Sequence, residues 1–334
     1  MKGRITLRDI ARKAGCHHST VSMVLRRHPS IPPATADRIL RLAEKMGYQP
    51  NPLLSAWMTD VRGRYSGNYK ATLAFLDVDR ESNPHLMEYF YGASHRADEL
   101  GYKLSYFWLH EPGMTSRRMN HILNHSGIHG VVIGPIIPKS HISLTWSNLA
   151  TVAIGHSLLR PQLNRVVHDQ FRGMQTAIRA MSKLGYRRFG MMWNEGADER
   201  TNYNYTSLLA RYQQTIPARD RVPIVYDEDD LPRWFARWRP DCVISFAYMI
   251  NLFVKRVGSE TAIVDLDLCQ NSVKGSAGID QRYERIGAIA VDTICSDLAV
   301  NRLGVPEEPL TILVEGSWVD GATLPKLPRA ESVK

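Results

Sequence analysis

The sequence predicts a small all-α headpiece at the N-terminus followed by a large α/β core that contains two doubly wound parallel-sheet subdomains. Three observations predict this fold. The first fifty residues carry apolar side chains at helical spacing, short apolar runs alternate with helical patterns from residue 68, and the same alternation restarts near residue 160. Alternating strand and helix patterns are typical of parallel sheets covered by helices. A chain of 334 residues is also longer than a common single domain, so several packed units are expected.

The excess basic charge of the chain lies almost entirely near its N-terminus. Residues 1–65 hold 12 Lys and Arg against 4 Asp and Glu, and the remaining residues hold 30 against 29. A basic surface can be a solvated face, but its concentration in one segment favours a polyanionic partner such as nucleic acid. The sequence has no apolar run of the roughly 18 residues that cross a membrane and no secretory signal, and its four cysteines form no CxxC pair. We therefore expect a cytoplasmic protein without a membrane partner.

Two short helices joined by a tight turn are predicted within residues 7–25. Apolar positions recur at three and four residues from Leu7 to Ala14, Gly15 ends this helix, and a second apolar set of Val21, Val24 and Leu25 follows. Glycine permits a positive φ at the turn, and a β-branched residue at position 21 holds the second helix against the first. This pattern is typical of a helix-turn-helix.

The outward face of the second helix carries short side chains that suit the reading of DNA. Hydroxyl and imidazole groups can hydrogen-bond base edges or phosphates, and a small apolar group can contact a thymine methyl. A polar solvent face is the alternative for each residue alone, but the helix pair, the glycine turn and the local charge together favour DNA. We predict DNA contacts from His17, His18, Ser19, Thr20, Ser22 and Met23.

A third helix is predicted from about Ala34 to Met46, and a short proline-led segment follows it. Asn51 can cap and Pro52 can open a further helix, which is too short to be stable alone. Its apolar side chains would be exposed unless something covers them. We expect this hinge segment to become ordered when it pairs with its copy in a dimer and with DNA.

Three stretches of the N-terminal region carry a specific resemblance to a known family. The stretches "TLRDIARKAG…STVSMVL" and "EKMGYQPN" and the proline-led segment are similar to the lactose/galactose repressor family of bacterial transcription regulators. The resemblance implies a homodimer on a palindromic operator, with paired hinge helices that push a leucine into the minor groove. Trp57 stands at that leucine position, where it can unstack a base step or only pack between the two hinges.

Two departures from the family lie on the DNA-reading surface. Met23 stands where the family often has a long polar or cationic side chain, and Arg26 stands where it often has asparagine, so the operator sequence does not transfer. The resemblance completes the predicted DNA-binding set with Thr6, Leu7, Arg26, Tyr48, Asn51 and Trp57.

The resemblance extends over the large C-terminal region and implies a core like that of periplasmic sugar-binding proteins. It is carried by "NPHLMEYFYGASHRADELGY", "GYRRFGMM", "IGAIAVDTICSDL" and "LVEGSWVDGATL". The chain is then expected to cross between two subdomains near residues 160, 282 and 313. The predicted bounds are 1–50 for the DNA-binding domain, 51–67 for the hinge and linker, and 68–330 for the core, with an N-subdomain of about 68–159 and 283–312 and a C-subdomain of about 160–282 and 313–330.

The core is predicted to bind a small-molecule effector between its subdomains, where the carboxyl ends of the strands meet. By resemblance Asp267 accepts hydrogen bonds from the effector and Asp169 lies near a crossover, although either can be a structural capping acid. Arg200 lies near the family's effector-binding arginine, with Asn204 as an alternative, and Trp193 can stack on a ring or lie in the core. The predicted effector-binding set is His85, Asp169, Trp193, Arg200, Asn204, Phe246 and Asp267.

Other chemistries are weaker in this sequence. His121, His125 and His129 could bind zinc if they lay on one continuous helix. Gly127 is expected to end that helix, so the three residues are interpreted as surface histidines. A GxSxG elbow, a phosphate-binding glycine loop and an HExxH motif are all missing, which disfavours an enzyme, a cofactor or a catalytic metal. We predict a ligand-responsive transcriptional regulator, most often a repressor, with a sugar or sugar derivative as one candidate effector. A two-lobed binding protein without DNA function is the alternative.

Overall fold

The computed structural model of the chain describes residues 7–17, 20–21, 24, 31–46, 71–78, 85–137, 140–258 and 260–327. The chain divides into an N-terminal unit of Met1–Lys70, to which Asp297–Arg302 also belongs, and a core of Ala71–Ser296 and Leu303–Lys334. The two units are described separately. Among the described residues, the helices are all too short or too polar to cross a lipid bilayer.

The N-terminal unit is a small helical cluster around one apolar centre. Helix α1 is Leu7–Ala14 and helix α2 is Pro33–Lys45, and Thr20, Val21 and Val24 between them are also helical. Gly15 has a φ of +65°, so the turn uses the left-handed region that glycine permits. The buried side chains are Ile10, Ala11, Ala14, Val21, Val24, Ile39 and Ala43. The helix and the glycine turn predicted from residue 7 are therefore confirmed.

The first sheet of the core has six parallel strands in the order β12-β7-β5-β3-β1-β2. Its strands are β1 Thr72–Asp77, β2 Lys103–Trp108, β3 Ile128–Ile133, β5 Ala150–Ile154, β7 Asn164–His168 and β12 Thr311–Val314. Helices α3 (Leu86–Glu99) and α4 (Ser116–His125) connect its first strands, and β4 (Ser140–His141) pairs with β6 (Leu158–Arg160) in a separate ribbon. We call this sheet with its helices lobe 1.

The second sheet has five strands in the order β13-β11-β10-β9-β8, and β13 alone is antiparallel to its neighbour. Its strands are β8 Phe189–Met191, β9 Cys242–Ser245, β10 Ala262–Asp265, β11 Ala277–Asp280 and β13 Ser317–Val319. Its helices are α5 Gln170–Lys183, α6 Glu195–Arg200, α7 Asn204–Gln213, α8 Leu231–Trp238 and α9 Ala247–Arg256, with 3-10 turns at Ala218–Asp220 and Glu228–Asp230. We call this sheet with its helices lobe 2. Two parallel-sheet subdomains are therefore confirmed.

The structure differs from the sequence-based element assignment at two places. The proline and polar residues from 156 to 170 predict a loop, but this stretch contains β6 and β7, so lobe 1 extends to His168 rather than to residue 159. The apolar run "VPIVY" predicts a strand, but it contributes only a bridge between Met192 and Val225. Pro223 lacks the backbone N–H that a ladder needs, which accounts for this difference.

Helix α10 (Tyr283–Ala299) packs directly against α3 through two glycines. A Cβ atom at Gly92 would lie 1.9 Å from the carbonyl oxygen of Glu284, and one at Gly287 would lie 2.0 Å from the carbonyl oxygen of Tyr89. Real Cβ atoms do not approach backbone so closely, so the crossing requires glycine on both helices. This close contact sets the N-terminal ends of α3 and α10 side by side.

Candidate functional site

Polar and aromatic side chains collect where the strands of both sheets reach their carboxyl ends. His168 ends β7, Asp265 ends β10, Gln281 follows β11, and Phe246 follows β9. Because neighbouring parallel strands end at one edge of a sheet, these residues share the edge at which open α/β sheets bind ligands. The chain also passes from lobe 1 to lobe 2 here, directly after His168.

His85 joins the two lobes at this edge. It precedes α3 in lobe 1 and is only 6% exposed. Its Nε2 atom lies 3.4 Å from Oδ2 of Asp267 in lobe 2, and its Nδ1 atom lies 3.3 Å from Oε1 of Glu88. The ring stacks on Tyr283, with centroids 4.4 Å apart. Burial lowers the pKa of His85, but the hydrogen bonds and charges of Asp267 and Glu88 outweigh it and raise the pKa above its ordinary value.

Two buried tyrosines surround the pair formed by His85 and Asp267. Tyr89 packs edge-on against Tyr283 at 4.8 Å, and the Tyr205 hydroxyl lies 3.4 Å from Nε2 of Gln281. Burial, and then the charge of Asp267, raises the pKa of both Tyr89 and Tyr205 well above the ordinary tyrosine value. Both phenols are therefore neutral hydrogen-bonding groups.

The loop after β10 holds Asp267 in place through a second buried carboxyl. Oδ1 of Asp265 accepts a hydrogen bond from the backbone N–H of Asp267 at 2.9 Å, and its Oδ2 accepts one from the Ser272 hydroxyl at 2.6 Å. Burial raises the pKa of Asp265 to about 6, although these two hydrogen bonds act in the opposite direction. Asp265 thus positions Asp267 rather than facing a ligand itself.

Five buried side-chain atoms in the described part of the chain make no hydrogen bond, and all belong to residues at this edge. They are Oδ1 of Asp267, Oε1 of Gln170, Nε1 of Trp193, and Nδ1 and Nε2 of His168. Buried polar groups are nearly always satisfied, so a concentration of exceptions needs a reason. A ligand that supplies hydrogen-bond partners is the simplest one.

His168 is a buried and neutral imidazole. Burial lowers its pKa to about 4, while the charges of Asp267 and Asp169 and the backbone of Val314 act in the opposite direction without offsetting it. A Cβ atom at Gly173 would lie 2.9 Å from its Nε2 atom, so glycine leaves room for the ring. At neutral pH, His168 therefore offers one donor and one acceptor.

Three aromatic rings line the lobe 2 side of the edge. The Trp193 ring lies 4.4 Å from Phe246 and 5.4 Å from Tyr205, measured between centroids. Trp193 is 1% exposed and belongs to the core of lobe 2. The ring of Trp193 therefore packs in the core, as one of the two alternatives has it, and its N–H has no partner. Stacking of Trp193 on a ligand ring stays a prediction.

The other predicted effector-binding residues lie in the same lobe. Asp169 caps α5, since its Oδ1 accepts from the backbone N–H of Arg172 at 2.9 Å, which is the structural role left open for it. Arg200 is the last residue of α6 and is half-buried, and burial lowers its pKa. Asn204, the first residue of α7, is also half-buried. The predicted residues that the structure brings into contact are His85 with Asp267 and Trp193 with Phe246.

Several residues at this edge escaped prediction. They are Glu88, Tyr89, His168, Gln170, Tyr205, Gln281 and Tyr283. The run "VVHDQ" carried a usable signal, because polar residues directly after an apolar strand mark a strand end. Glu88 and Tyr283 carried none, because their approach to His85 depends on how α3 and α10 pack.

Few of the predicted DNA-contacting residues fall within the described ranges. His17 is exposed, its carbonyl accepts from the backbone N–H of Thr20 at 3.0 Å, and Thr20 is helical and half-buried. Leu7 opens α1. The remaining predicted residues, Thr6, His18, Ser19, Ser22, Met23, Arg26, Tyr48, Asn51 and Trp57, lie outside the described residues.

The three histidines considered for zinc lie on two different elements. His121 and His125 stack on α4, which ends at His125, and Gly127 has a φ of +71°. His129 lies in β3, where its Nδ1 contacts the carbonyl oxygen of Gly127 at 2.7 Å. The expectation that the helix ends before Gly127 is confirmed. Within the described ranges, His, Cys, Asp and Glu form no group suited to a metal ion.

Comparisons with known proteins match both parts of the chain. Residues 6–51 match the model of the family described as "Bacterial regulatory proteins, lacI family". The sucrose operon repressor of Escherichia coli is 26% identical over 202 residues, which cover 59% of this chain and 58% of that protein. The HTH-type transcriptional regulator GalS of Salmonella typhimurium is 40% identical over 57 residues, 17% of each chain. The first match therefore spans less than two thirds of that relative's length.

Solved structures resemble the whole chain at low identity. A complex of the transcriptional regulator CelR with cellobiose has a TM-score of 0.55 at 17% identity and covers 96% of this chain and 100% of that one. The lac repressor dimer bound to operator and the anti-inducer ONPF has a TM-score of 0.53 at 15% identity and covers 97% and 100%. At these identities the likeness establishes a shared fold.

Proposed function

We propose that this chain, whose residues 6–51 match the family of bacterial regulatory proteins named after lacI, is a transcriptional regulator that binds operator DNA as a homodimer and responds to a small-molecule effector. One observation carries the proposal. A match to the family's DNA-binding domain at residues 6–51 shares the chain with a two-lobed core, and the unpartnered buried polar atoms among the described residues of that core lie at one edge. The relatives that match over the longest stretch are repressors, which favours repression as the outcome.

DNA reading is assigned to the helix that follows the glycine turn. Trp57 would be the minor-groove wedge, and Thr6, Leu7, Arg26, Tyr48 and Asn51 would make further DNA contacts. The major groove would be faced by His17, His18, Ser19, Thr20, Ser22 and Met23. The corresponding bounds are 1–50 for this domain, 51–67 for the hinge and 68–330 for the core. The net basic charge of residues 1–65 supplies the attraction to the phosphates.

Effector binding is assigned to the edge where His85 meets Asp267. This pair joins lobe 1 to lobe 2, so a ligand that binds beside it changes how strongly the lobes hold together. Operator affinity then changes by linkage, because the ligand favours one arrangement of the lobes over another. The effector set of His85, Asp169, Trp193, Arg200, Asn204, Phe246 and Asp267 is proposed on this basis, with His168 and Gln170 added.

A two-lobed binding protein without DNA function is the second candidate. The family domain at residues 6–51 favours the regulator, since a plain binding protein has no use for it. We likewise propose that the protein acts in the cytoplasm and catalyses no reaction, in line with relatives that are regulators.

Selection of DNA from a pool of genomic fragments tests the proposed function directly. The full-length protein at low ionic strength should enrich a palindromic sequence, as a two-fold dimer requires. His18→Ala should then lose about 1 to 3 kcal/mol of binding free energy at particular base pairs of that sequence. His110→Ala is the matched control, because His110 is an exposed residue of the core. Failure to enrich any duplex would refute the proposal, and an equal loss on every sequence would refute base reading by His18.

A further inference from the structure

We propose that the ligand of this cleft carries a protonated amine in addition to hydroxyl groups, as an amino sugar or an aminocyclitol does. The inference rests on the proposed function, because it takes the edge around His85 and Asp267 to be the effector site. Two independent observations carry it: the sign of the charges at the edge, and the identity of the buried atoms that have no partner.

The charges at this edge are predominantly negative. The charged groups that act most strongly on Tyr89 are Asp267 and Glu88, and those on Tyr205 and His168 include Asp267 and Asp169. None of these neighbours is a lysine or an arginine. A binding edge lined by carboxylates favours a cationic ligand over a neutral or anionic one.

His85 does not cancel this negative charge. Its two ring nitrogens face two carboxylates, Glu88 at 3.3 Å and Asp267 at 3.4 Å, so even a protonated ring would set one positive charge against two negative groups. Arg200 does not cancel it either. Burial lowers the pKa of Arg200, with no carboxylate acting to raise it, so its guanidinium is not paired with these acids.

The unpartnered buried atoms specify the hydrogen bonds that a ligand must make. Oδ1 of Asp267 and Oε1 of Gln170 accept and cannot donate, so the ligand must bring at least two donors. Nε1 of Trp193 donates, so the ligand must also bring an acceptor. An ammonium group supplies several donors together with the missing positive charge, and hydroxyl groups supply both donors and acceptors.

The surrounding rings suit the same ligand. Trp193, Phe246 and Tyr205 lie within 6 Å of one another at the edge where Asp267 stands. Aromatic faces attract an ammonium group and also pack against the C–H face of a sugar ring. Aromatic rings and carboxylates together therefore favour a polyhydroxylated cation.

Matched pairs of compounds test the inference on the full-length protein. Isothermal titration at neutral pH should compare glucosamine with glucose and galactosamine with galactose, with glucose 6-phosphate as the anionic member. We expect the amine of at least one pair to bind about ten-fold or more tightly than its neutral parent, as a charge-assisted hydrogen bond to a buried carboxylate allows.

A substitution identifies the carboxylate that is responsible. Asp267→Asn should remove most of the preference for the amine while it changes the affinity for the neutral parent less. Glu308→Gln is the control, because it removes the same charge from an exposed residue outside the cleft. If Asp267→Asn does not fold, Glu88→Gln reports on the same charge from the partly exposed side of His85.

Each outcome bears on the inference separately from the proposed function. Equal affinity for both members of every pair, preference for the phosphate, or no binding by any amine would overturn the inference. In each of these cases, enrichment of a palindromic operator would leave the proposed function standing. Loss of operator binding by the unmodified protein would remove the proposed function itself.

Discussion

Replacing His168 by glutamine tests how strongly the buried imidazole at the end of β7 couples folding to pH. His168 is 3% exposed, and burial lowers its pKa from 6.5 to about 4. In the unfolded chain the imidazole takes up a proton below pH 6.5, whereas the folded protein resists protonation down to about pH 4. Acid therefore favours the unfolded state across this window, and the protein loses stability as the pH falls.

The size of the effect follows from the gap between the two pKa values. A difference of one pKa unit between the folded and unfolded states corresponds to about 1.4 kcal/mol of stability, so the full difference of about 2.5 pKa units amounts to about 3 kcal/mol. Between pH 7 and pH 5 the expected loss is about 2 kcal/mol, since part of the gap lies below pH 5. The glutamine variant does not titrate in this range, so it lacks this loss.

Urea unfolding at pH 5, 6 and 7, followed by tryptophan fluorescence, measures the effect. The stability advantage of the unmodified protein over His168→Gln should shrink by about 2 kcal/mol from pH 7 to pH 5. His110→Gln is the control, because it makes the same substitution at an exposed histidine. If the difference between the unmodified protein and His168→Gln is the same at all three pH values, the imidazole is not held neutral and the reasoning is wrong.

Three further predictions concern residues that shape the cleft. Burial raises the pKa of Asp265 to about 6, so the folded protein favours the protonated carboxyl, and stability is lost as the pH rises from the unfolded pKa near 4 through 6. In the same urea experiment, the free energy of unfolding of Asp265→Asn should rise by about 1 kcal/mol relative to the unmodified protein between pH 5 and pH 7. Gln170→Met removes a buried acceptor without a partner, so the free energy of unfolding should rise by about 1 kcal/mol, and a lower melting temperature would contradict this. Gly287→Ala places a Cβ atom 2.0 Å from the Tyr89 carbonyl and should lower the free energy of unfolding by about 3 kcal/mol, whereas Ala288→Gly on the same helix should cost about 1 kcal/mol.

The sequence predicted the two-sheet core and part of the cleft because both depend on local pattern. Apolar runs mark the buried strands, and the residues that follow such runs lie at the ligand-binding edge, where Asp267 and Phe246 stand. The resemblance to the family, and not this pattern alone, assigned Asp267 to the effector. The strand β7 was missed because Asn164 and Arg165 interrupt its apolar pattern and a Pro–Gln pair precedes it. In β7 the pairing with β5 and β12 overrides the weak local signal.

The contacts that make the cleft specific are long-range and were not predictable from spacing. His85 and Asp267 are far apart in the chain, and their contact depends on how two separately folded sheets face each other. The stacking of His85 on Tyr283 depends on the glycine-mediated crossing of α3 and α10. A polar residue can be assigned to a strand end from sequence, but its partner across the cleft follows only from packing.

The two carboxylate oxygens of Asp267 differ in their partners, and this difference bears on whether a ligand strengthens or weakens the contact between the lobes. Oδ2 is occupied by His85 from the opposite lobe, whereas Oδ1 is buried without a partner. A ligand that donates to Oδ1 therefore does not need to displace His85, so ligand and imidazole can hold the same arrangement of the lobes together. Because a ligand shifts an equilibrium only by its difference in affinity between two states, such a ligand strengthens the contact between the lobes when it binds this arrangement more tightly than the alternative one. A ligand that competed with His85 for Oδ2 would instead weaken that contact, so the choice of oxygen decides whether the effector tightens or loosens the core.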